Sequence, residues 1–136
     1  MKLHQITATT SSKIPVVARA IAGLPLLLIG IQHLTGMAPM QPILEGAGIP
    51  MAALNATVAP IFEIIAGLLL LSGFFARIGG LITIGAMSMA TYTHIVHDWA
   101  DEPPIALPIA ILVAAIFVVI KGAGAMSIDL KKSLAA

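Results

Sequence analysis

The sequence predicts an all-α integral membrane protein, a four-helix transmembrane bundle with both termini cytoplasmic. Three observations lead there. The 136 residues are 59% hydrophobic and 10% charged, with a mean hydropathy of +1.04, whereas soluble domains are roughly half apolar and about 25% charged. Apolar runs occur four times, each near the ~20 residues that a helix needs to cross a hydrocarbon core of about 30 Å. The positive charges then fall on one side of a four-span arrangement, which sets its orientation.

Taken in order, residues 1–14 form a polar tail with Lys2, His4 and Lys13. The first span is predicted at about 15–34, opening on Pro15 and bending at Pro25. A cleaved signal peptide is the rival reading, and the length of this run, Arg19 within it, and its ending in Gln32 and His33 without a convincing small-residue cleavage site argue against it. Residues 36–55 carry three prolines and several glycines, which is too many breakers for a span, so an interfacial loop is expected with a short helix near 51–54. Asn55 is read as the cap of a second span at about 56–75. A tight turn around Arg77, Gly79 and Gly80 leads into a third span at about 78–96, and a short acidic connection into a fourth at about 104–120. Residues 122–136 read as a polar cytoplasmic tail.

Lys2, Lys13, Arg77, Lys121, Lys131 and Lys132 lie on one side of this topology, while the opposite loops hold Glu45, Asp98, Asp101 and Glu102 and no Lys or Arg. The multi-pass chain is therefore placed in the inner, or plasma, membrane with its termini inside. A net charge of +1 without a basic face gives no case for nucleic-acid binding. The absence of cysteine rules out a disulfide, a thiolate metal site, a Cys nucleophile and a Cys-ligated cluster.

Chemistry gathers in the second span. Glu63 is a lone acid inside an apolar run and shares a helical stripe with Gly67, Leu70, Phe74 and Arg77. An ionisable group at that depth costs about 2.5–3.5 kcal/mol on insertion scales, so it should face other helices rather than lipid. Gln32 and His33 end the first span on the outer side, and His94, His97 and Asp98 close the third, with Tyr92 nearby. Glu63, His33 and His94 are thus the candidates for proton handling. Gln32, His33, Glu63, Tyr92, His94 and His97 are the candidate lining of a ligand pocket.

Such a pocket has three physical readings. Apolar walls with a His and a carboxylate suit a quinone or a similar redox ring, hydrogen-bonding its oxygens and moving its protons. Two His and one carboxylate could instead hold a metal, but no HExxH or ExxH pair is present, and no metal ligand is assigned. In the third reading, Glu63 and a His simply satisfy each other and lock the bundle. Arg77 reads as a topology and headgroup anchor, and the glycines of the first three spans as sites of close helix approach.

Several of these residues also carry a resemblance. The first span has Arg19, Gly23, Gly30 and His33; the second has Glu63, Gly67, Leu69, Gly73 and Arg77; and Gly122-Ala-Gly-Ala-Met-Ser-Ile-Asp129 resembles a "GPG..S.D" ending, with Ala123 in place of the proline. In their order and spacing these features resemble the DoxX family of small four-span membrane proteins. The resemblance implies that Arg19, His33, Glu63 and Arg77 are the characteristic polar positions, with His33 where relatives often have Lys. It also implies a function in quinone-linked oxidoreduction, since some DoxX-related proteins are subunits of a thiosulfate:quinone oxidoreductase or of other membrane oxidoreductase complexes. The expectation is an inner-membrane subunit supporting such an oxidation, with the bilayer, an oxidoreductase partner subunit and further copies of itself as candidate partners. The alternatives are a non-catalytic scaffold that binds a partner through its polar stripes and a small-solute carrier subunit.

Overall fold

The computed structural model describes residues 7–96 and 104–135, and among these it is entirely helical. Six helices follow in order: α1 (Ile14–Leu34), α2 (Met40–Gly46), α3 (Ala52–Ser72), α4 (Ala76–Val96), α5 (Ala106–Lys121) and α6 (Ile128–Ala135). Helices α1 and α3, each of 21 residues, are long and apolar enough to cross a membrane. Helix α4 has the same length, but its threonines, Tyr92 and His94 lower its hydropathy; α5 is apolar and shorter.

The four long helices pack as a ring, α1 on α3, α3 on α4, α4 on α5 and α5 back on α1. Glycines set the approach. Gly23 packs against Leu70 and Leu71, and Gly30 against Glu63 and Ile64, so α1 and α3 run antiparallel with almost nothing between their backbones. Gly79 seats α4 on Ala66 and Leu69, and Gly80 seats it on Ala115 and Val119 of α5. The core between them is small and aliphatic, including Ala22, Leu26, Ala66, Leu70, Ile111, Ala115 and Val118. The outer faces are apolar as well. On α1, Ile14, Val17, Ile21, Leu24, Leu28 and Ile31 are exposed at alternating steps of three and four, which is one helix face turned away from the protein.

Several boundaries differ from the sequence reading. Met51, in a left-handed conformation (φ 55°), precedes α3, which starts at Ala52. Asn55 therefore lies inside the first turn, where its Nδ2 donates to the Pro50 carbonyl at 3.0 Å instead of capping the helix. The short helix of the loop is α2, one segment earlier than expected. Helix α3 stops at Ser72 because Gly73 turns left-handed (φ 65°) and its N–H closes onto the Leu69 and Leu70 carbonyls. The turn is thus Gly73 to Phe75, and Arg77, Gly79 and Gly80 belong to α4. The polar C-terminal tail contains the loop 122–127 and helix α6, both packed on the bundle end.

Candidate functional site

Two polar centres lie at opposite ends of the α1–α3 pair. At the end where α1 finishes, His33 and Glu63 meet, with Nδ1 of His33 3.0 Å from Oε2 of Glu63. The contact follows from the helix packing. Gly30, one turn before His33, has no side chain, and a Cβ there would fall 2.9 Å from that of Glu63, so α3 comes close enough for the two polar side chains to join. Glu63 is 5% exposed and His33 16%, so the acid is buried and its partner reaches toward the rim. The pair shares one proton position, and either partner can supply it.

This pair forms part of the wall of a cavity of about 550 Å³ lined by all four long helices and by the α2 region. Gln32, His33, Asn55, Glu63, Thr93 and His94 are among its polar lining, set into an otherwise aliphatic wall that includes Ile29, Met87, Leu107 and Ile111. Nδ1 of His94 lies 2.8 Å from the Ala90 carbonyl. A carbonyl only accepts, so Nδ1 carries a proton and the neutral ring has its acceptor at Nε2. The threonines of α4 turn to their own helix: Thr83, Thr91 and Thr93 donate to the carbonyls of Gly79, Met87 and Ala90.

Of the residues singled out in the sequence, Gln32, His33, Glu63 and His94 all line this cavity. Tyr92 does not. It lies two residues from His94, about 200° round the helix, and is 47% exposed on the outer face with Leu81 and Val96. His97 and Asp98 lie outside the described residues. Asn55 and Thr93 escaped the sequence reading; Thr93 is one residue from His94 and could have been found from that position, whereas Asn55 was hidden by its reading as a cap. The α2 region, with Met37, Pro39, Met40 and Ile43, covers the cavity, and no periodicity in that breaker-rich stretch announces it. No group of three or more metal-ligating side chains occurs among the described residues.

The second centre, where α1 begins, engages its polar groups in structure, except for the buried Arg19 Nε, which has no hydrogen-bond partner. The Arg19 guanidinium, 3% exposed, donates to the carbonyls of Leu70 at 3.3 Å and of Ala125 and Met126 at 3.4 Å. Arg77 donates to the carbonyls of Val119 at 2.6 Å and Ala8 at 3.1 Å, which makes it a clamp on the α5 end rather than an anchor extended to headgroups. The Asp129 carboxylate accepts from Phe75 N–H at 2.9 Å and Ala76 N–H at 3.1 Å, capping the start of α4. The stretch from Gly122 to Asp129 thereby joins the ends of three helices.

No curated protein and no solved structure matches the chain significantly. The DoxX family model matches residues 14–98, which take in α1 through α4 and hold Arg19, His33, Glu63, Arg77 and His94. With more than half of the chain matched, and with two helices fit to cross a bilayer, the protein belongs to the DoxX family of membrane proteins.

Proposed function

We propose that the protein is a four-span inner-membrane subunit, with both termini in the cytoplasm, that supports a quinone-linked oxidoreduction by holding the ring in the cavity beside His33 and Glu63. The observation that carries this reading is the buried His33–Glu63 pair in the wall of a largely aliphatic cavity of about 550 Å³. That volume lies within the roughly 300–1,000 Å³ of small-molecule sites, and apolar walls with a few convergent polar groups are their usual composition. A quinone, when bound, supplies two-electron chemistry accompanied by two protons. The chain supplies the proton handling. Glu63 and His33 hold a proton between Oε2 and Nδ1, and His33, nearer the rim, exchanges it with the outside. His94, from α4, and the α2 region supply further parts of the cavity wall.

Support for four spans comes from α4 and α5, which also expose large apolar residues: Leu81, Ile95 and Val96 on the first, Ile109, Val113 and Ile116 on the second. Among the described residues, Lys13, Arg19, Arg77, Lys121, Lys131 and Lys132 all belong to the end where α1 begins. Electrons would pass to or from an oxidoreductase partner.

The test is quinone extraction and native mass spectrometry of gently purified protein, with a short-chain benzoquinone added as probe. Wild type is expected to retain the quinone and Glu63→Gln to lose it at least tenfold. Retention by neither protein, with Glu63→Gln otherwise indistinguishable from wild type, would sink the reading. The scaffold reading has its own observation, since the pair bridges α1 and α3 beside the close approach at Gly30. It expects Glu63→Gln to lower the melting temperature or loosen a complex while no quinone is bound by either protein.

A further inference from the structure

The end of the bundle away from the cavity presents a surface that the proposed function leaves unused. Helix α6 is fixed there. Asp129 caps α4, its own N–H donates to the Gly73 carbonyl at 3.0 Å, and Arg19 holds the Ala125 and Met126 carbonyls. This is where α1 begins and α3 ends, so both helices fit to cross a membrane meet the same bilayer surface beside α6. Four lysines, Lys13, Lys121, Lys131 and Lys132, stand exposed at this end. Its one acid among the described residues, Asp129, is buried at 1% exposure. The surface is therefore cationic without neutralising partners of its own.

It is also apolar. Met126, in the loop before α6, is 83% exposed; Ile128 is exposed at the start of α6, and Leu134, near its other end, is 79% exposed. Met126 adopts a left-handed backbone (φ 54°), which a long side chain rarely takes and which here turns it outward. At helical pitch Ile128, Lys131, Lys132 and Ala135 fall in one arc of about 100°, and Leu134 lies about 60° beyond it. The Lys132 ammonium sits 4.4 Å from the centre of the Phe74 ring, so this lysine is held at the junction of α3 and α6.

We propose that this end is a docking surface for the anionic headgroup layer of the leaflet it faces. Lys121, Lys131 and Lys132 meet headgroup phosphates, while Met126 and Leu134 enter the acyl boundary, as in a helix that lies in the interface plane. Lysines spread over two helices with apolar residues between them match a sheet of headgroups. A soluble phosphate would need a concave cationic site.

The full-length protein, placed in nanodiscs of mixed phosphatidylcholine and phosphatidylglycerol and released for native mass spectrometry, provides the test. Wild type is expected to retain phosphatidylglycerol preferentially, with each lysine contributing up to about fivefold and the preference falling as salt rises. Lys121→Gln/Lys131→Gln/Lys132→Gln should abolish the enrichment and the matching arginine triple variant should keep it. Equal retention of the two lipids by wild type, or an enrichment insensitive to salt, overturns the proposal even if the glutamine variant fails to fold. Loss of the enrichment on adding millimolar inorganic phosphate at constant ionic strength also overturns it, since that would mark a soluble-anion site.

Discussion

Gly30 and Gly85 both occupy helix interiors, yet their surroundings oppose each other. A methyl group on Gly30 would meet the Glu63 Cβ at 2.9 Å and Ile64 Cγ1 at 3.0 Å, whereas one on Gly85 would meet nothing within 4 Å. Gly30→Ala is therefore expected to push α1 off α3, part His33 from Glu63 and cost roughly 1–3 kcal/mol. Gly85→Ala should stabilise by about 0.5–1 kcal/mol, because alanine loses less backbone freedom in a helix. Thermal unfolding in detergent compares the two, and a Gly30→Ala protein as stable as wild type would show that the close approach is dispensable. Arg19 and Glu63 make a similar contrast between buried ionisable groups. Arg19 is consumed in holding backbone carbonyls, while Glu63 sits at a cavity beside a titratable partner. The sequence already marked Glu63 as a candidate for proton handling, whereas Arg19 shows itself a clamp only through its neighbours.

At the scale of the element, the segment 122–129 changes meaning most. Its polarity suggested a solvated tail, but Ser127 is buried and donates to the Gly124 carbonyl, and Asp129 occupies the N-terminus of α4 across more than fifty residues of chain. The N-terminal stretch joins it, with Gly124 N–H donating to Thr9 Oγ1 at 2.6 Å and Ala125 N–H to the Ser12 carbonyl at 2.8 Å. Polarity alone cannot distinguish a residue hydrated by water from one satisfied by a distant helix end. Asp129→Asn keeps the shape but removes the charge that complements two orphan N–H groups, and is expected to cost about 1–3 kcal/mol. Hydrogen exchange should then show the first turn of α4 losing protection ahead of the rest of that helix. Unchanged protection there would mean the cap contributes nothing.

At the scale of the molecule, the protein is apolar on the outside as well as within, and polar at two ends that differ in charge. The cationic end is expected to face the cytoplasm. Because the chain has no cysteine, single substitutions report its topology directly. Ser133→Cys should react with a membrane-impermeant maleimide only from the cytoplasmic side, and Met37→Cys, at a position 76% exposed, only from the other. Labelling of both from one side would refute a bundle of alternating spans.

The sequence by itself determined the helical class, the family and the burial of Glu63, because composition and hydropathy are summed along the chain and a lone acid in an apolar run must turn inward. It also marked Gln32, His33 and His94, since a polar residue at the end of an apolar helix is conspicuous locally. Only the tertiary structure decided that His33 is the partner of Glu63, that Tyr92 faces outward, that the α2 region covers the cavity, and that the C-terminal segment caps α4. Each of these depends on which helix faces are opposed and at what register. That register is set by the glycine contacts of α1, α3 and α4, whose partners lie tens of residues away and leave no trace in local periodicity.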